Sequence, residues 1–173
     1  MRWAIAILLV APLGGCVDNS GLPCGTSATS TTVPGVTVGV STPTCSFVAG
    51  TAATFDYTIN IQSTMAFMTG PHAACMATTS NPTSFVTTEV TGSGGRYCPT
   101  CDLGICSEDP GEMITLDPGN YTGSLNFPGR MWDGPSDNNA PIGGPLPAGA
   151  YTAKVHFEIP AGVVEADLPI TLL

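Results

Sequence analysis

Between Thr54 and Ile61 the apolar residues Phe55, Tyr57, Ile59 and Ile61 fall on every second position, with Asp56, Thr58 and Asn60 between them. A period of two puts one set of side chains on one face of an extended chain and the other set on the opposite face, so this segment reads as a half-buried strand. Tyr151, Ala153, Val155, Phe157 and Ile159 repeat the pattern, as do Leu168, Ile170 and Leu172. Further strands are expected at 36–40, 64–68, 84–90, 112–117 and 121–127, separated by turns rich in Gly, Pro and Asn. No stretch sustains a 3.6-residue apolar period, and charged residues make up only 10% of the chain. Seven or eight short strands of this kind are expected to pack as an all-β antiparallel sandwich.

The first sixteen residues have another character. Arg2 is followed by an apolar run from Trp3 to Leu13 and then by Gly14, Gly15 and Cys16. A charge, a short apolar stretch and small residues are the layout of an export signal. The apolar run falls well short of the ~20 residues a membrane-crossing helix requires. Leu13-Gly14-Gly15-Cys16 resembles the bacterial lipobox, which implies cleavage before Cys16 and attachment of diacylglycerol and an N-acyl lipid to that residue. Two or three acyl chains hold durably, since each buried methylene contributes ~0.8 kcal/mol. Domains are therefore expected as a signal peptide at 1–15, a lipidated tether at 16–35 and a sandwich at 36–173. Cys24 complicates the tether, because a bridge there would pin it to the body. The expected location is the cell envelope, with the outer membrane favoured in a Gram-negative cell because Val17 rather than aspartate follows the cysteine.

Beyond residue 15 the chain carries all 13 of its acidic residues against the basic residues Arg96, Arg130 and Lys154. Phosphate recognition depends on clustered Lys and Arg, so nucleic acid is excluded as an expected partner. Protein charge is equally unsuited to hold anionic lipid head groups, which leaves attachment to the acyl chains.

Between Leu116 and Val155 the chain holds Trp132-Asp133-Gly134 and, later, Pro147-Ala148-Gly149-Ala150-Tyr151. This segment resembles the closing strands of the immunoglobulin-like domain of BsuPI-type proteinase inhibitors and flagellar hook-capping proteins. The resemblance implies an immunoglobulin-like β-sandwich in which Trp132 caps one end and a turn at 146–149 leads into the strand begun by Tyr151. It also implies a proteinase-inhibitor-like domain as one functional reading. The cysteine-rich stretch 70–106 departs from that family pattern.

Apart from Cys16 the chain has Cys24, Cys45, Cys75, Cys98, Cys101 and Cys106. In an exported chain an even set reads as disulfides that reinforce the fold, with ~15 possible pairings for six cysteines. Tyr97-Cys98-Pro99-Thr100-Cys101 resembles the redox motif of glutaredoxins. That chemistry asks for an apolar strand before the motif and a helix after it, and the neighbouring sequence announces neither. Zinc held by Cys75, Cys98, Cys101 and Cys106 fits on spacing but not in an oxidising compartment.

Met65, Met68, His72 and Met76 bring thioethers and an imidazole together, the ligand set that selects copper, and give a soft-metal reading. Met65 and Met68 read equally as strand and core. Asp133, Asp137 and Asn138 could offer oxygens to calcium, although their spacing matches no EF-hand loop and fits an Asx-rich turn. His156 lies between Val155 and Phe157 in the alternation and is expected to face solvent. Two histidines and no Gly-x-Ser-x-Gly elbow leave no nucleophile and base pair, so no enzyme activity and no cofactor is expected. The expected function is a non-catalytic, membrane-anchored lipoprotein serving as a binding or structural module for an envelope protein or polysaccharide.

Overall fold

This computed structural model describes residues 16–17, 23–68, 81–101, 113–134 and 142–173, and thirteen strands run through those described residues. They are β1 (Cys16–Val17), β2 (Pro23–Cys24), β3 (Ser27–Ser30), β4 (Val36–Ser41), β5 (Ser46–Phe47), β6 (Ala53–Ile61) and β7 (Met65–Met68). A 3₁₀ turn at Pro82–Phe85 precedes β8 (Val86–Gly92), β9 (Gly95–Tyr97), β10 (Met113–Leu116), β11 (Gly119–Phe127), β12 (Gly149–Ile159) and β13 (Gly162–Leu172). Among the described residues no helix is long and apolar enough to cross a membrane.

Two sheets form the body, one ordered β11-β6-β4-β3 and the other β5-β13-β12-β8-β9. Their pairing is antiparallel throughout except where β5 joins β13 in parallel. The expected architecture, an antiparallel β-sandwich reinforced by disulfides, is the one the chain adopts. Alternation decides which side of each strand is buried. Phe55, Tyr57, Ile59 and Ile61 of β6 meet Val36, Val38 and Val40 of β4 on one inner face. Tyr151, Ala153, Val155, Phe157 and Ile159 of β12, with Val164, Ala166, Leu168, Ile170 and Leu172 of β13, supply the other. The long hairpin β12–β13 lies across β3 and β4, so the core sits between the two sheets.

Paired backbone begins earlier than the boundary expected at residue 36. Ser27 to Ser30 form the edge of the first sheet against Val38 to Ser41, although the Ser and Thr of this stretch gave no apolar alternation. The Gly25 N–H donates to the Pro169 carbonyl at 2.9 Å, and a disulfide joins Cys24 to Cys45. Residues 23–30, expected as flexible tether, thus belong to the folded body. β13 likewise starts six residues before Leu168, because Val164 and Ala166 continue the buried set.

Two tyrosine hydroxyls brace strand entrances. Tyr151 Oη donates to the Pro147 carbonyl at 2.9 Å, and Tyr121 Oη to that of Asp117 at 2.8 Å. Leu146, fully buried, fixes the segment that leads into β12. Trp132 packs against the core with its ring 6.0 Å from Tyr97.

Candidate functional site: the outer face of the five-stranded sheet and the adjoining cleft

The alternation that buries Val155 and Phe157 turns Lys154 and His156 outward from β12, and the same rule turns Glu165 and Asp167 outward from β13. Register then pairs them: Lys154 stands opposite Asp167 and His156 opposite Glu165. On the other flank Lys154 stands opposite Glu89 of β8. The resulting network is continuous. Lys154 Nζ lies 3.6 Å from Asp167 and 3.2 Å from Glu165. His156 Nδ1 is 2.8 Å from Glu165, and its Nε2 is 3.7 Å from Glu89. Arg96 Nη1 approaches Glu89 at 3.9 Å, while its Nε donates to Asp133 at 2.7 Å.

His156 lies on the outer face, as the alternation predicts, but not open to solvent as expected. Its side chain is only 24% exposed and sits between two carboxylates, because cross-strand neighbours are set by register and not by proximity in sequence. Nδ1 lies within hydrogen-bond distance of Glu165, and Nε2 faces Glu89 at the longer distance.

The charges set one another's protonation. Burial pushes the Glu165 carboxyl up, but the Lys154 hydrogen bond and the His156 and Lys154 charges outweigh it and hold the pKa below its ordinary value. Burial and the neighbouring Glu165 charge raise Asp167, and Lys154 offsets them only in part. Burial opposes the charge on Lys154, yet the Glu165 hydrogen bond and the surrounding carboxylates raise its pKa. The hydrogen bond to Asp133 does the same for Arg96.

The Cys98–Cys101 disulfide borders this face. Continuing the β8–β9 register one step beyond Val90 and Tyr97 sets Cys98 beside Glu89. Cys98 is fully buried and Cys101 exposed. The Cys98 N–H donates to the Trp132 carbonyl at 2.6 Å, so the motif leaves β9 with its first cysteine anchored by backbone. β9, the short strand Gly95-Arg96-Tyr97, precedes Cys98, but it is not the apolar strand that the glutaredoxin-like motif asks for. A Glu89 carboxylate oxygen and the two sulfurs all lie within 4.8 Å of one another. As a disulfide the sulfurs are bonded to each other and uncharged, which makes them poor ligands in the oxidised protein.

Where the edge of the first sheet faces β8 and β9, an open cleft of about 380 Å³ runs along the seam. Tyr57, Thr83, Thr88, Tyr97, Thr100, Ser124 and Asn126 line it together with Val86, Pro99 and Leu125, and among the described residues no charged one does. Burial raises the pKa of both tyrosines, so each keeps its proton. Gly123 is needed beside the cleft, because a Cβ there would strike the Tyr57 ring.

The remaining candidates separate. Met65 and Met68, three apart on β7, lie on opposite faces; Met65 packs against the core while Met68 is 54% exposed. A period of two splits residues three apart, so β7 itself does not bring these two thioethers of the expected Met65, Met68, His72 and Met76 set side by side. Met68 instead stands directly opposite Met113 of β10, itself 64% exposed, a partner that sequence distance concealed. Asp133 accepts from Arg96, and Asp137 and Asn138, the other oxygen donors expected with it, lie outside the described residues. So do His72, Cys75, Met76 and Cys106. Cys16 stands in register with Cys24 in the β1–β2 pair. Compared with known protein families and with curated proteins, the chain matches none of them.

Proposed function

We propose that the protein is a lipid-anchored, non-catalytic module of the bacterial cell envelope whose seam cleft takes a stretch of neutral envelope polysaccharide. The uncharged, hydroxyl-lined cleft carries this reading. Sugars present apolar ring faces and many hydroxyls without charge. Tyrosine rings beside Thr, Ser and Asn groups offer the matching combination of apolar surface and hydrogen bonds. The lipobox-like Leu13-Gly14-Gly15-Cys16 supports the anchor, and the engagement of both His156 nitrogens by carboxylates supports a binding role over a catalytic one.

Two experiments test it. Cys16→Ser is expected to abolish lipid labelling and move the protein from the detergent phase to the aqueous phase; unchanged partitioning defeats the anchor. Ser124→Ala combined with Asn126→Ala, both at exposed positions, should weaken co-sedimentation with purified envelope polysaccharide several-fold. No retention of the unaltered protein defeats the polysaccharide assignment.

The opposed pair Met68 and Met113 favours a second reading, a soft-metal site for Cu(I) on the β7–β10 ribbon. Directly opposed side chains have Cβ atoms about 4.5–5.5 Å apart, within reach of one ion bound by two flexible thioethers. Met113→Leu should then lower Cu(I) affinity with no change in fold, and equal affinity removes this reading.

A further inference from the structure

We propose that Cys98, Cys101 and Glu89 form a redox-gated site for a thiophilic divalent cation of the zinc class, closed while the disulfide stands and open once it is reduced. The inference does not rest on the anchor or on the cleft. Three features carry it. The two sulfurs and a Glu89 oxygen are already gathered within 4.8 Å. Tetrahedral zinc, with Zn–S near 2.3 Å and Zn–O near 2.0–2.2 Å, spaces its ligands by just under about 4 Å, so shifts of order 1 Å convert the cluster into a coordination shell. The frame is also fixed: Glu89 projects from β8, and Cys98 is held to the Trp132 carbonyl at the end of β9.

Access and charge complete the argument. Cys101 is the exposed sulfur and Cys98 the buried one. An external dithiol attacks the Cys101 sulfur, the S–S bond breaks, and its electron pair leaves on Cys98, which takes a proton. The second external thiol resolves the mixed disulfide, releasing the Cys101 thiol and leaving the reductant as a disulfide. Ionising both freed thiols beside the Glu89 carboxylate would crowd three negative charges together. Arg96, 3.9 Å from Glu89, offsets one of them. A divalent cation offsets the other two as it displaces both thiol protons, so the reduced cluster favours a metal over bare thiolates. The cluster supplies three ligands, and a water molecule would serve as the fourth.

The test uses the whole mature chain, reduced with a phosphine and titrated with Cd²⁺ as the spectroscopic probe. Expected are one equivalent more Cd²⁺ bound, with a stronger thiolate-to-metal charge-transfer band, than in the equally reduced Cys98→Ser combined with Cys101→Ser, and no band in the oxidised protein. Glu89→Gln should keep the band and weaken binding by at least the roughly tenfold that even an outer-shell partner costs. A reduced protein that binds no Cd²⁺ overturns the proposal, whatever its state of folding. Equal stoichiometry in the double serine variant overturns it as well, because the thiols would then lie elsewhere. Equal affinity in Glu89→Gln removes the carboxylate from the site and with it the three-ligand assignment.

Discussion

Thr171 shows how much a single atom can decide. It is fully buried near the end of β13, and its hydroxyl has no hydrogen-bond partner among the described residues. A buried hydroxyl without a partner keeps its desolvation cost, so Thr171→Val, which preserves shape, should raise stability by about 1 kcal/mol in urea unfolding. A loss of stability would reveal a partner for the hydroxyl. Asp167 is informative in a second way. Its pKa is raised in the folded state, so its ionisation costs stability as pH rises through the folded value, and nothing is lost below the unfolded one. Glu165 is lowered, so its contribution is present above the unfolded value and disappears as pH falls through the folded one. The two trends oppose each other in the acid range. Asp167→Asn should therefore melt higher than the unaltered protein at pH near 7, lose that advantage near pH 3, and show a steeper acid decline. Equal shifts at both values would break the argument.

At the scale of elements, the least expected strand is β3. It has little apolar surface of its own, and its place at the sheet edge is secured by covalent and backbone ties around it. The Cys24–Cys45 bridge spans 21 residues, a loop for which chain-entropy arguments give about 3 kcal/mol. Replacing both cysteines by serine should cost about that much by urea denaturation, with hydrogen-exchange protection lost first across β3 and β5. Uniform loss across both sheets would show instead that the bridge supports the body as a whole. Legibility in sequence follows the same line. β4, β6, β11 and β12 could be read because their buried faces are large and regularly spaced, whereas β3, β5 and β9 are short edges held by neighbours distant in sequence.

For the whole molecule, the short distance between Cys16 and Cys24 matters most. A tether through residue 35 would let the sandwich roam from the membrane, but the disulfide at Cys24 and the Gly25 bond to Pro169 leave no such length. Even fully extended, the eight steps between the two cysteines span at most about 29 Å. If Cys16 is acylated as proposed, the protein should be released poorly from vesicles by added protease, and a twenty-residue Gly/Ser insertion after Asn19 should make release efficient. Ready release without the insertion would contradict a body held close to its lipid.

The amino-acid sequence on its own determined the class of fold, since a two-residue apolar period leaves extended strands as the only way to bury one face. Its first sixteen residues likewise contain the whole basis for expecting export and acylation, because those signals are read along a linear chain. Only the tertiary structure decided which residues meet. Pairing register brought His156 between Glu89 and Glu165, parted Met65 from Met68, and set Glu89 beside Cys98 and Cys101. Such contacts depend on how strands from distant parts of the chain align, a relation that period and composition do not contain.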